Sequence, residues 1–304
     1  AAREAAGGRP PPRLRPGAGW GSPVGPRERG WDRPLVVGLL GAVGHALVAA
    51  AVVGAAVTAG ASVAPVAGTV LAGMVIFLST SLRRLLSTAR AVVADSATDV
   101  AAARAGLLAL AGRDADALTP GQLRSAAVES AAENLADGLV APLVAFAFAA
   151  LAAAIAGLAP LPVAAAAAAW VKAVNTMDSM LGYREKRVGT PAARLDDAVM
   201  WLPARLSALA LAVTVADVRT LARARTWLDE VPSPNSGWPM GVAAAALEVR
   251  LAKPGVYVLN PDASLPDVAA ARRGTRAVGV AGVLIYLVAG LSMAALDWEV
   301  AAWF

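Results

Sequence analysis

The apolar residues of this 304-residue chain are gathered into long runs, and those runs constrain the fold more than any other feature. Between 35 and 57 the only polar side chain is His45. That stretch exceeds the roughly 20 residues a helix needs to cross a hydrocarbon layer about 30 Å thick. Further runs occupy 63–78, 139–158, 161–174 and 278–296, of which 63–78 and 161–174 are short for a span on their own. One such run can be buried in a soluble core; so many in one chain cannot all be. The expected fold class is therefore all-α, a polytopic helical membrane protein with about five transmembrane helices. Composition agrees: hydrophobic residues make up 58%, above the roughly 45–50% of soluble domains, and charged residues only 16%.

The positive charge is local. Residues 1–33 hold seven Arg against Glu4, Glu28 and Asp32, which is +4 of the chain's +5, so the remainder is close to neutral. No basic stripe interleaved with aromatics is left, and nucleic acid is excluded as a partner. Segment 1–34, rich in Pro, Gly and Arg without apolar periodicity, reads as a disordered basic tail lacking a signal-peptide core; 35–304 reads as a single integral membrane domain. The absence of Cys removes disulfides, thiolate nucleophiles and Cys-based zinc sites. The single His, His45, is expected to pack or snorkel rather than to build a metal centre or a triad.

Polar blocks at 79–138, 172–198 and 217–277 separate the apolar runs. In the first, "LRRLLSTARAVVADSATDVAAARAGLLAL" has the 3.6-residue spacing of one amphipathic helix. The second helix of that block should begin with Thr119 as N-cap, Pro120 at the first helical position and Gln122 completing a capping box, and should end at Gly138. The positive-inside bias puts the Arg-rich tail and all three polar blocks on the cytoplasmic face of the cell membrane. "MWLPARLSALALAVTVADV", with Pro203 and Arg205 near its start, is then expected to be re-entrant or packed on the membrane rather than spanning.

Carboxylates dominate the polar blocks. Glu129, Glu133 and Asp137 recur every four residues and form one acidic stripe on a helix, flanked by Ser130 and Asn134. Like charges at this spacing oppose helix formation, so a cation is expected beside them. Asp95 and Asp99 repeat the spacing, and Asp178, Asp196 and Asp197 add carboxylates beside the membrane. Hard oxygen ligands without His or Cys favour Mg²⁺ or Mn²⁺ holding substrate phosphates. The basic complement is Lys172, Arg184, Lys186, Arg187, Arg194 and Arg205, with Arg suited to bidentate grip of phosphate or carboxylate. "VPSPNSGWP" (231–239) must be a rigid non-helical loop. No nucleotide-binding glycine loop follows a strand pattern.

Five ordered segments, "ADSATDVAAARAGLLALAGRD", "VESAAENLADGLVAPL", "KAVNTMDSMLGYR", "ARLDDAVMWLPARL" and "SPNSGWPM", resemble the adenosylcobinamide-phosphate synthase family of cobalamin biosynthesis, the CobD/CbiB proteins. The resemblance covers roughly 79–257. It implies a polytopic membrane ligase that joins the propionate carboxylate of adenosylcobyric acid to aminopropanol phosphate, or a related amino alcohol phosphate, with ATP as co-substrate and Mg²⁺ as cofactor. The resemblance selects the positions and residue chemistry the roles: Glu129, Glu133, Asp137 and Asp178 are expected to hold metal-bound phosphate, with Lys172, Arg194 and Arg205 neutralising phosphate charge. Asp95, Asp99, Asp196 and Asp197 are further metal candidates. Asn134, Asn175 and Asn235 are expected to hydrogen-bond corrin amides, with Ser179, Tyr183, Arg184 and Ser233 as further substrate contacts. One departure is visible: members usually open with "HPV", whereas the comparable place here reads "GWGSPVGPRERGW" without the His, so no role of that motif carries over. A Mg²⁺-dependent membrane prenyltransferase would also use Asp-rich helices, but gives the rigid loop no role. A transporter would carry its charges within the spans rather than between them.

Overall fold

A computed structural model describes residues 33–111, 115–182 and 186–302, with side chains as far as residue 295. Proline sets four of the helix starts, because its missing N–H costs nothing in the first turn. Pro34 opens α1 (Pro34–Val63) and Pro65 opens α2 (Pro65–Ser79). After α3 (Leu82–Thr98) and α4 (Val100–Ala111), Pro120 opens α5 (Pro120–Leu135), which leads through a π turn to α6 (Ala141–Ile155). Pro160 opens α7 (Pro160–Leu181). Then come α8 (Thr190–Val199), α9 (Trp201–Thr214), α10 (Arg219–Arg225), α11 (Gly237–Leu247), the strands β1 (Leu251–Lys253) and β2 (Tyr257–Leu259), and α12 (Val268–Ala302). The expected N-terminal tail, apart from Arg33 and Pro34, lies outside the described residues.

Four stretches are long and apolar enough to cross a membrane: Pro34–Val63, Pro65–Thr98, Pro120–Ile155 and Val268–Ala295. The short apolar run at 63–78 is thus extended by continuity with α3, and the run at 139–158 by continuity with α5. In three of the four only 17% of the apolar window is buried, against 44% in Pro120–Ile155, which makes α5–α6 the central pillar. The uncovered faces are apolar: Leu39, Leu47 and Val52 on α1 and Val283, Leu287 and Leu291 on α12 are all exposed, the pattern of lipid-facing helices. His45 is also exposed, its ring N–H donating to Gly41 O at 2.8 Å.

The fifth expected span, 161–174, lies in α7. Its last third carries Lys172, Asn175 and Asp178, which lower its apolarity, yet it packs along both α1 and α6. Small residues permit that packing: Gly38, Ala42 and Ala46 form a buried stripe on α1, and Ala164, Ala165 and Ala168 one on α7. It is not among the stretches apolar enough to cross by themselves; its C-terminal half returns beside the start of α6, where Val171 packs with Ala141. Segments α8 and α9 meet at 47° and have 10 and 14 residues, so neither crosses by itself. Together they pass as one bent unit, a broken span or a re-entrant loop.

Two sequence expectations need correction. The amphipathic stretch 82–110 is two helices, broken at Asp99, whose extended backbone (φ −142°, ψ 88°) lets its Oδ1 accept the Ala102 N–H at 3.0 Å and cap α4. Nor does the helix from Pro120 end at Gly138. Five residues, Ala136–Val140, adopt a π turn and the axis continues into α6. The bare Cα of Gly138 lets the start of α3 come close: Ser81 N–H donates to Gly138 O at 3.1 Å. The capping box formed as expected, with Gln122 N–H donating to Thr119 Oγ1 and Thr119 N–H donating to Gln122 Oε1.

The large core draws on α3, α4, α5, α9, α10, α11, α12 and the hairpin, while a small one, Val57, Ala72 and Ala165, joins α1, α2 and α7.

Candidate active site

The acidic stripe of α5 faces a cavity of about 310 Å³. From α5 and the π turn it is lined by Glu129, Ser130, Glu133, Asn134 and Asp137; from α7 by Asn175, Asp178 and Ser179; from the hairpin by Lys253 and Tyr257; and from α4 by Leu110 and Ala111. Four-residue spacing carries the stripe up α5, and the π turn then holds Asp137 on the cavity wall just where the helix becomes apolar. Such turns add a residue without breaking the axis and recur at functional sites.

Glu129 is the most enclosed of these carboxylates, 2% exposed. Ser125 Oγ donates to its Oε1 and Tyr257 Oη to its Oε2, each at 2.6 Å, and Ala252 N–H donates to Ser125 Oγ at 2.8 Å. These bonds tie α5 to both strands. The hairpin turns at Pro254–Gly255, where Gly255 supplies the left-handed φ of +73°. Its register sets Lys253 opposite Tyr257, so a cation and a phenol enter the cavity side by side.

A second group of carboxylates lies at the α7–α8 side. Asp137 feels the charges of Glu133, Asp196, Asp178 and Lys172. Asp196 sits on the short amphipathic α8, outside the spans. Burial raises its carboxyl to about 7, assisted by the charges of Asp178, Asp197 and Glu133 and opposed by a hydrogen bond from Asn175. Its Oδ1 is buried with no hydrogen-bond partner. Gly182 lets Asp178 fold over the end of α7, since a β-carbon there would overlap Asp178 Oδ1.

Among the described residues no three of His, Asp and Glu converge into a ready ligand set. Mg²⁺ asks for less: one or two carboxylates, with water and phosphate oxygens completing its octahedron. Carboxylates facing one another, one with an orphaned buried oxygen, fit such an ion.

Of the stretch 231–239, expected to be wholly non-helical, Gly237, Trp238 and Pro239 instead open α11, and the loop is 231–236, which forms its own network. Asn235, 5% exposed, donates from Nδ2 to Asp197 O at 2.7 Å and accepts at Oδ1 from Arg205 Nη1 at 3.1 Å. Arg205 also donates to Trp201 O at 2.7 Å, and its guanidinium lies 4.3 Å and 5.5 Å from the Trp201 and Trp238 ring centroids. Ser233 Oγ accepts the N–H groups of Asn235 and Ser236. Arg205, Ser233 and Asn235 therefore brace the backbone of the Asp196–Asp197 pair instead of lining the cavity.

Of the expected site residues, the cavity gathers Glu129, Glu133, Asn134, Asp137, Asn175, Asp178 and Ser179, with Lys172, Asp196 and Asp197 behind its wall. Asp95 and Asp99 at the end of α3 and Arg194 on the exposed face of α8 do not line it. Tyr183 and Arg184 lie outside the described residues. Lys253 and Tyr257 were missed by the sequence reading. The turn signal "KPG" between two alternating segments marks their hairpin, but only the register shows that both face the cavity.

The sequence profile of the family described as CobD/Cbib protein matches residues 2–296. A probable cobalamin biosynthesis protein CobD of Methanothrix thermoacetophila is 33% identical over 298 residues, covering 93% of this chain and 92% of that protein. The cobalamin biosynthesis protein CobD of Klebsiella pneumoniae is 41% identical over 191 residues, 60% of this chain and 56% of the relative. The cobalamin biosynthesis protein CbiB of Salmonella typhimurium is 39% identical over 167 residues, 52% of this chain and 48% of the relative. No solved structure matches.

Proposed function

The chain belongs to the CobD/Cbib protein family, and from that premise we propose that it acts in cobalamin biosynthesis as an ATP-dependent amide ligase. In this reading the propionate carboxylate of adenosylcobyric acid is joined to the amine of aminopropanol phosphate, or a related amino alcohol phosphate, to give adenosylcobinamide phosphate. The observation that carries the reading is one polar cavity uniting carboxylates from α5 and α7 with Lys253. Its volume admits a propionate arm and a small phosphorylated amine, while the much larger corrin ring stays outside on the protein surface.

A carboxylate does not react with an amine at neutral pH. Transfer of the ATP γ-phosphoryl group to the propionate oxygen gives an acyl phosphate and ADP, and attack by the amine then expels inorganic phosphate. Bound Mg²⁺ would neutralise phosphate charge; one or two carboxylates from among Glu133, Asp137 and Asp178 on the cavity wall and Asp196 behind it would hold it. Lys253 and Lys172 balance the remaining anionic charge. Asn134 and Ser179 supply hydrogen bonds that orient the two reactants within reach of each other. Glu129, held by Ser125 and Tyr257, fixes the wall on which Lys253 sits.

The test is ligation by the detergent-solubilised protein supplied with adenosylcobyric acid, aminopropanol phosphate and Mg-ATP, with product followed by mass spectrometry. Product formation is expected, with a loss of at least about hundredfold in kcat for Glu133→Gln or Asp178→Asn. A folded protein that forms no product would remove the ligase reading, and unchanged activity in either variant would remove that residue from the site.

A further inference from the structure

Two helices that lie side by side each change between apolar and basic character along their exposed face. Along α12 the exposed face carries Arg272, Arg273 and Arg276 and then, starting one turn on, Val280, Val283 and Leu287. Along α2 and α3 it carries Met74, Phe77 and Leu78 and then Arg83, Arg84 and Arg90. The helices run antiparallel. A β-carbon at Gly282 would meet Leu82 Cδ2 at 2.7 Å, and one at Gly279 would lie 3.1 Å from Leu86 Cδ1 and 3.6 Å from Arg90 Nη2. The basic stretch of α3 therefore begins level with Gly282 and Tyr286, inside the apolar length of α12, and by Arg90 it has come level with Gly279, next to the Arg group of α12.

These six guanidinium groups make no hydrogen bond or ion pair among the described residues. Other Arg side chains nearby are committed: Arg104 donates to Leu118 O, and Arg124 to Pro266 O and Ser96 Oγ. The closest carboxylate along α12, Asp267, is used as the cap for Ala270 N–H at 2.6 Å. The surface is thus strongly positive without internal compensation, and it adjoins an apolar face of the same two helices.

We propose that Arg83, Arg84 and Arg90 of α3 and Arg272, Arg273 and Arg276 of α12 form a docking surface for anionic phospholipids. Headgroup phosphates bond the guanidinium groups, and the acyl chains lie on the apolar stripe one turn away. A free phosphate or an acidic protein satisfies only the first half of that surface; a lipid satisfies both. Juxtamembrane Arg attracts an anionic leaflet at this depth. The proposal is independent of the ligase reading.

The test titrates the full chain, in neutral detergent, with phosphatidylglycerol, phosphatidylcholine or inorganic phosphate while the thermal unfolding midpoint is followed. Phosphatidylglycerol is expected to raise the midpoint at concentrations where the other two do not, and about 0.5 M NaCl should weaken the effect. The triple variant R272Q/R273Q/R276Q should need roughly a hundredfold more phosphatidylglycerol, from about fivefold per Arg. Arg223→Gln, away from this surface, should leave the titration unchanged. If the triple variant does not fold, Arg276→Gln and Arg83→Gln singly should each shift the half-maximal concentration about fivefold. An equal response to phosphatidylcholine, reproduction of the effect by phosphate alone, or variants that titrate like the unaltered protein overturns the proposal.

Discussion

Replacing Tyr257 by Phe removes one oxygen from the wall of the cavity and nothing else. That oxygen donates to Glu129 Oε2 at 2.6 Å, and Glu129 is 2% exposed, so water cannot easily take its place. A hydrogen bond to a charged acceptor contributes about 1.5–3 kcal/mol. At about 1.4 kcal/mol per tenfold, its loss shifts the balance between a docked and a released hairpin by roughly 10- to 150-fold. For a chain of this size that corresponds to a fall of about 2–5 °C in unfolding midpoint. The assay is thermal unfolding in detergent of Tyr257→Phe, Ser125→Ala and the double variant. Since Ser125 and Tyr257 grip opposite oxygens of one carboxylate, the two changes should be coupled by more than about 0.5 kcal/mol. A Tyr257→Phe midpoint within about 1 °C of the unaltered protein, together with additive effects in the double variant, would refute the claim that this ring of hydrogen bonds holds the hairpin to α5.

Three further outcomes follow from the same geometry. Asp196, raised to about 7, carries its proton below neutrality. Apparent Mg²⁺ affinity, read by calorimetry, should therefore rise between about pH 6 and 8 and lose that slope in Asp196→Asn. By the same sign, Asp196 makes the metal-free fold less stable as pH climbs from its unfolded value through 7. Gly182→Ala puts a methyl group where Asp178 Oδ1 now lies; ligation should fall by at least about tenfold, and an unaltered rate would show that Asp178 need not hold this position. Asp99→Ala removes the cap of α4 and should cost about 0.5–2 kcal/mol in chemical denaturation while leaving the rate intact.

The membrane-spanning class, the start of α5 and the acidic stripe on its cavity face were legible because each depends on spacing within one segment. The start of α5 is a local capping box, and Glu129, Glu133 and Asp137 share a face by helical period alone. What escaped depends on contacts between segments. Asp99 looked like a metal ligand by spacing with Asp95, but a backbone N–H three residues on claims its oxygen. Gly138 looked like a helix end, but packing of Ser81 against it keeps the axis going through a π turn. Asn235 and Arg205 looked like substrate contacts, yet each is engaged by the other and by the backbone of a neighbouring helix. Lys253 and Tyr257 reach the cavity across a register no single-segment pattern encodes.

One continuous pillar, Pro120–Ile155, carries both the carboxylates of the cavity and an apolar stretch of membrane length. Asp137 and Ala141 are four residues apart, about 6 Å along the axis. No hinge separates the chamber from the bilayer, so its altitude above the lipid is set by the pillar itself. A molecule released there starts its next journey at the membrane surface. Its encounter with a partner embedded in the same membrane becomes a search over a plane instead of a volume.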